Sequence, residues 1–237
     1  MNRQENKWLR EHAEKSGETL ESLIIRRKNG EPLQYILGEW EFYGYPFKVG
    51  KGVLIPRPET ELLVDLAKQY KPKSVLDLCA GTGCVGIALA REINCKVIAV
   101  EKSEEAIKYL KQNIELNNAE ISIKQDDVLN PAENYEQADC ILINPPYLSK
   151  NDMENLQKEV SREPEIALFG GIDGLDFYKK IFKIWDKTLK SGGLFAVEVG
   201  DTQAAAVAAI VGDNALGVPQ IMKDLAGTER IIYYIKT

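Results

Sequence analysis

The sequence predicts an α/β protein built on a Rossmann-like, mostly parallel sheet, and three observations predict it. From residue 74 onward, short apolar runs alternate with stretches of helical period. A glycine-rich turn, Gly81-Thr82-Gly83-Cys84-Val85-Gly86, follows the first of those runs directly. Glu101 closes the second run, about twenty residues farther on. Alternation of this kind places helices on both faces of the sheet, and ligands then bind beyond the carboxyl ends of the strands. The residues just after each strand are therefore the ones to read for function.

Residues 4–28 are helix-friendly, with apolar positions at Trp8, Leu9, Leu20, Leu23, Ile24 and Ile25 and a break near Ser16-Gly17, so two short helices are expected. Gly30 and Pro32 end that region. The aromatic run from Trp40 to Val49 around Gly44 reads as a β-hairpin. Pro58 precedes a helix over Glu59–Tyr70, whose apolar face is Leu62, Leu63, Leu66 and Ala67. Strands then follow at Ser74–Leu78, Lys96–Val100, Ile121–Lys124, Cys140–Ile143, Gly193–Val199 and Arg230–Lys236. Between them lie helices at Cys84–Glu92, Ser103–Asn117, Leu175–Leu189 and Thr202–Val211. The chain divides into a short amino-terminal helical region over 1–30, a β-hairpin linker over 31–58 and an α/β domain over 59–237.

Composition removes several classes of function. At 44% hydrophobic and 28% charged, the 237 residues are those of an ordinary globular chain. No apolar run approaches the roughly 20 residues that cross a bilayer, and the polar start MNRQENKWLREHAEK lacks the core of a secretory signal. No membrane association and a cytoplasmic location are expected. Cys79, Cys84, Cys95 and Cys140 form no CxxC pair and read as reduced thiols, while the single histidine, His12, lies in a charged stretch. No metal is expected. A net charge of −6 argues against direct binding to nucleic acid; the basic cluster Arg26-Arg27-Lys28 reads as a solvated helix end.

The glycines at 81 and 83 let the backbone approach a ligand closely, and Glu101 can accept both hydroxyls of a ribose. That much fits NAD or S-adenosylmethionine. Asp77 separates them. A carboxylate just ahead of the glycines suits the ammonium and sulfonium of S-adenosylmethionine and repels a pyrophosphate. Asp127, after the third strand, reads as an adenine amino ligand or a turn cap. Asn144-Pro145-Pro146-Tyr147 follows the buried strand Cys140–Ile143. The Asn144 oxygen and the Pro145 carbonyl can accept the two N–H bonds of a planar NH₂ group, the proline rings stiffen the backbone, and Tyr147 offers a flat face. Such a site activates a weak amide or exocyclic nitrogen by position and electrostatics and needs no strong base.

With these residues in view, the chain resembles the class I methyltransferases that modify the glutamine of the Gly-Gly-Gln loop in peptide chain release factors. The resemblance spans about residues 26–237. It rests on Arg26-Arg27-Lys28-Asn29-Gly30-Glu31-Pro32-Leu33-Gln34-Tyr35-Ile36-Leu37-Gly38, Glu41-Phe42-Tyr43-Gly44, Leu54-Ile55-Pro56-Arg57-Pro58-Glu59-Thr60-Glu61, the run from Glu163 to Leu175 and the run from Lys223 to Arg230. It implies a seven-stranded sheet and S-adenosylmethionine bound by Asp77, Cys79, Ala80, Gly81, Thr82, Gly83, Glu101, Asp127 and Asn144. It also implies a glutamine held by Asn144, Pro145, Pro146 and Tyr147, with Arg57 and Glu59 bracing a segment that closes over the site. The implied partner is a release factor, and a monomer is expected. Two features depart from the family pattern. Cys79 stands where many methyltransferases carry glycine, tolerable if its φ is negative. The amino-terminal region is shorter than the family's helical bundle. Glutamine methylation of a ribosomal protein, N6 methylation of adenine in nucleic acid, an NAD oxidoreductase and a non-catalytic cofactor-binding module are the competing readings.

Overall fold

The structure is a computed structural model that describes residues 2–237; Met1, where the helical region was set to begin, lies outside them. Helix α1 (Arg3–Ser16) starts at a capping box in which Asn2 and Glu5 exchange side-chain and backbone hydrogen bonds, and it stops at Gly17 in the left-handed region. Helix α2 (Leu20–Lys28) starts at the Thr19 hydroxyl. A third helix, α3 (Leu33–Leu37), lies where the sequence reads as linker. Its five residues are too few to show a helical period, yet Leu33 and Ile36 complete a small core with Leu9 and Leu23.

Strands β1 (Glu39–Phe42) and β2 (Tyr45–Lys48) form the hairpin, turning at Tyr43 and Gly44 with φ of 54° and 75°. Phe42 and Phe47 point from it into the main core. The helix expected over Glu59–Tyr70 begins later. Pro58–Thr60 is a 3₁₀ turn and α4 is Glu61–Tyr70.

Beyond α4 come β3 (Ser74–Leu78), α5 (Cys84–Glu92), β4 (Lys96–Glu101), α6 (Glu104–Leu116), β5 (Ile121–Gln125) and β6 (Ala138–Ile143). They are followed by α7 (Lys150–Glu154), α8 (Asp176–Trp185), β7 (Leu189–Glu198), α9 (Ala204–Asp213), β8 (Gln220–Lys223) and β9 (Glu229–Ile235). The sheet has seven strands in the order β5-β4-β3-β6-β7-β9-β8, with β9 antiparallel to both neighbours and the other pairings parallel. Strand β8 is absent from the apolar pattern because Gln220-Ile221-Met222-Lys223 is an exposed edge. The helix expected over Leu175–Leu189 ends early, since Leu189 pairs with Ala138 and starts β7.

Alternate residues of the sheet feed two cores. One face, including Val75, Cys140 and Ala196, packs on α4, α5 and the hairpin. The other, including Leu76, Ile141 and Val197, packs on α8 and α9 around Trp185. Strand order reverses between β3 and β6, and a cleft opens beyond their carboxyl ends.

Candidate active site

On the β3–β4 side, the chain leaves Leu78 through a turn with positive φ at Cys79 (57°), Gly81 (54°) and Gly83 (80°). The condition set for Cys79 therefore fails: it is a non-glycine residue in the left-handed region, at a cost of about 1–2 kcal/mol. The turn is fastened instead by Ala80 N–H on the Val100 carbonyl at 3.1 Å and by Glu101. The two oxygens of Glu101 accept from Gly81 N at 2.8 Å and Ser103 N at 2.7 Å, which aims the carboxylate along the rim. The glycines have different jobs. A Cβ on Gly81 would meet only the Cys79 carbonyl at 4.0 Å, so its missing side chain opens onto free space. A Cβ on Gly83 would lie 2.2 Å from Leu110 Cδ1, so that glycine serves packing.

Asp77 is only 3% exposed and accepts from Gly86 N at 2.9 Å. Burial pushes its carboxyl up to about 7; the Gly86 N–H opposes the shift and the charge of Glu101 adds to it. Asp127 is a turn cap as well as a lining residue. It accepts from Leu129 N at 2.9 Å and pairs with Lys102 at 2.8 Å. Burial opposes its ionisation, but Lys102 and the Leu129 N–H outweigh burial and hold the carboxyl below its ordinary value. The cleft, about 1040 Å³ with its open mouth, is lined by four carboxylates, Asp77, Glu101, Asp126 and Asp127. Its cations Arg57 and Lys102 are already paired, with Glu163 and Asp127. The remaining charge favours a cationic ligand and opposes a pyrophosphate. These residues fit S-adenosylmethionine: a buried carboxylate for its positive groups, Glu101 for its ribose, and room over Gly81.

On the β6–β7 side, Asn144 follows Ile143. Its Nδ2 donates to Thr60 Oγ1 at 3.1 Å, and Thr60 Oγ1 donates to Glu198 Oε2 at 2.6 Å. Among the described residues, Asn144 Oδ1 and the Pro145 carbonyl accept no hydrogen bond. Two unpartnered acceptors, one on Asn144 in the cleft lining and one on Pro145 just behind it, are suited to an NH₂ group. The backbone around them is clamped. Gln203 Nε2 donates to the Tyr147 carbonyl at 2.9 Å, and Leu148 bridges Phe169. A Cβ on Gly170 would sit 2.7 Å from the Pro146 carbonyl oxygen. Above the cleft, the buried Glu163 accepts from Ile55 N at 3.0 Å and pairs with Arg57, tying the 55–57 segment to the 163–167 loop.

Of the residues singled out in the sequence, Arg57, Asp77, Cys79, Ala80, Gly81, Thr82, Glu101, Asp127, Asn144 and Pro146 line the cleft together. Gly83, Pro145 and Tyr147 stand behind that lining, and Tyr147 is half-buried against the core beneath Gly200. The Glu59 carboxylate makes no hydrogen bond or ion pair among the described residues, although its charge is felt at Glu198. Thr60, Glu163, Glu198 and Gln203 were not singled out, although Thr60 and Glu163 lie inside the runs that carried the family resemblance.

Comparison with known proteins identifies the family. A family model described as the methyltransferase small domain matches residues 58–168. A release factor glutamine methyltransferase of Thermodesulfovibrio yellowstonii is 41% identical over 92% of this chain and 81% of its own. The chain belongs to the release factor glutamine methyltransferase family. A second member, from Fusobacterium nucleatum, is 41% identical over 90% of this chain and 62% of its own, longer, sequence. Among solved structures, a methyltransferase of Pyrococcus furiosus superposes with a TM-score of 0.63 at 20% identity, over 82% of this chain and 90% of its own. A 16S rRNA methyltransferase of T. thermophilus, solved with AdoMet and guanosine, superposes with a TM-score of 0.60 at 19% identity, over 84% of this chain and 50% of its own. These two share the class I methyltransferase fold, and S-adenosylmethionine is the methyl donor of the family.

Proposed function

We propose that the protein transfers a methyl group from S-adenosylmethionine to the side-chain amide nitrogen of the glutamine in the Gly-Gly-Gln loop of a peptide chain release factor. The observation that carries the reading is the pair of unpartnered acceptors, Asn144 Oδ1 and the Pro145 carbonyl, beside a cleft whose charge suits a cation. An amide lone pair is delocalised and poorly nucleophilic. Two acceptors on its N–H bonds hold the nitrogen facing the donor and stabilise the positive charge it gains. When bound, S-adenosylmethionine supplies an electrophilic methyl group on a sulfonium. Transfer to the held amide would form a C–N bond as the C–S bond breaks, leaving the electron pair on sulfur and releasing one amide proton to solvent. Tyr147 would stack on the amide plane, and Arg57, fastened to Glu163, would hold the closing segment with Glu59 at its end.

No helix among the described residues is long and apolar enough to cross a membrane. We place the enzyme in the cytoplasm, acting as a monomer and binding no nucleic acid directly, with the helices of 1–30 and the linker of 31–58 contributing to substrate docking. The test is incubation of the purified protein with S-adenosylmethionine and unmethylated release factor, followed by mass spectrometry. One methyl on the Gly-Gly-Gln glutamine is expected. Transfer only to a ribosomal protein or to adenine in nucleic acid would overturn the substrate.

A further inference from the structure

We infer that Thr60 and Glu198 act as positioning residues, forming a relay that fixes which end of the Asn144 carboxamide faces the cleft. The inference rests on the reading of Asn144 as the acceptor of the substrate amide. A carboxamide and its flipped form have nearly the same shape, so packing alone does not choose between them. In one orientation Asn144 offers oxygen to the incoming NH₂ group. In the other it offers its own NH₂, donor against donor, and the site fails.

The fold brings the three residues together from distant parts of the chain. Strands β6 and β7 run parallel with Ile143 opposite Val197, so Asn144 and Glu198 emerge side by side at the next register position. Thr60, at the end of the 3₁₀ turn before α4, spans them with contacts of 3.1 Å to Asn144 Nδ2 and 2.6 Å to Glu198 Oε2. Thr60 and Glu198 are 3% and 2% exposed, so water does not compete for these bonds. A carboxylate only accepts, and a threonine hydroxyl has one proton to give. That proton goes to Glu198. The hydroxyl's remaining lone pairs can then only accept, which draws Nδ2 of Asn144 toward Thr60 and leaves Oδ1 for the cleft.

Direction in the relay therefore depends on the charge of Glu198. Burial pushes that carboxyl up to about 7, the Thr60 hydrogen bond opposes the shift, Glu59 adds to it, and Arg230 and Arg57 oppose it. From the other elements around it, Tyr178 on α8 donates to the Glu198 backbone carbonyl at 2.9 Å, and the Tyr147 phenol feels its charge. Once protonated, Glu198 can donate as well as accept, and the orientation of Asn144 is no longer imposed. Turnover at saturating cofactor should fall as pH drops through about 7.

The experiment measures kcat, cofactor KM and the pH profile of methyl transfer to release factor for wild type, T60V, T60S, E198Q and N144A. T60V and E198Q should each lose about 10–100-fold in kcat with cofactor KM changed less than about twofold. T60S, which keeps the hydroxyl, should recover most of the turnover. E198Q should lose the acid limb of the profile, because a glutamine at 198 donates and accepts at every pH. Wild-type kcat in folded T60V and E198Q, with N144A inactive, would overturn the relay and leave the acceptor reading standing. Full turnover in N144A would remove the acceptor reading and the relay with it. Should T60V fail to fold, E198Q and its pH profile decide alone.

Discussion

On the β3–β4 side of the cleft, where we place the cofactor, the candidate groups are held by neighbours in sequence. Glu101 reaches Gly81, 20 positions away, and Ser103, two away; Asp77 holds Gly86, nine away; Asp127 caps Leu129, two away. At the acceptor side the spans are far longer. Asn144 meets Thr60 across 84 positions, Thr60 meets Glu198 across 138, Arg57 meets Glu163 across 106, and Gln203 holds Tyr147 across 56. The first side is a continuous run of β–α units from β3 to β5, and each of its candidate groups is held in the turn that follows a strand or by the next strand. The second is an assembly of four chain segments around a short polar tetrad, and its chemistry depends on tertiary structure being complete.

That contrast can be broken by substitutions that separate turnover from cofactor affinity. The largest effect is expected for Asn144→Ala, which should lower kcat by about 10²–10³-fold while the cofactor Kd, read by calorimetry, stays near wild type. Equal loss of cofactor affinity would place Asn144 on the wrong side of the comparison. Glu101→Ala should do the reverse. Losing a charged acceptor for the ribose raises the cofactor Kd about 10–100-fold, and a saturated enzyme keeps most of its kcat.

Asp77 sharpens the comparison through pH. Its carboxyl is raised to about 7 in the free protein, and a cationic ligand binds the ionised form better. Cofactor affinity should therefore be full above pH 7 and fall below it by up to about tenfold per pH unit, as proton linkage requires. Asp77→Asn should flatten that dependence and bind more weakly at pH 8. An unchanged slope in the variant would assign the titration to another group.

The smallest effects should separate the two glycines. Gly83→Ala forces a side chain into the left-handed region and against Leu110, so thermal unfolding should report the strain and the overpacking together, a loss of about 2–5 kcal/mol. Gly81→Ala meets no protein atom closer than 4.0 Å. It should cost only about 1–2 kcal/mol of backbone strain and weaken cofactor binding instead. Similar stability losses with equal cofactor affinity in both would contradict the division between them.

The same contrast explains what could be read before folding. The strand–helix alternation, Asp77, the glycine turn and Glu101 are local patterns, so they were legible as a nucleotide-type site. Asn144-Pro145-Pro146-Tyr147 was legible because all four residues are consecutive after an apolar strand. Thr60 and Glu198 gave no such signal. One stands in a proline-rich turn and the other closes an apolar strand, and nothing in spacing marks them as partners 138 positions apart. Helix α3 and strand β8 escaped for a simpler reason: five and four residues carry too little periodicity, and β8 is an exposed edge. The left-handed φ of Cys79 carries no local signal, because a residue's φ is set by the turn it joins, here one fastened by Val100 and Glu101.

The central claim is that Asn144 Oδ1 and the Pro145 carbonyl receive the substrate amide. Its most direct test is a crystal structure of the enzyme with S-adenosylhomocysteine and a Gly-Gly-Gln peptide, or the release factor itself. The account predicts the glutamine nitrogen about 2.9–3.0 Å from both oxygens, with Asn144 Nδ2 still on Thr60. A glutamine amide held by other groups, or an Asn144 turned to present Nδ2 to the substrate, would contradict it.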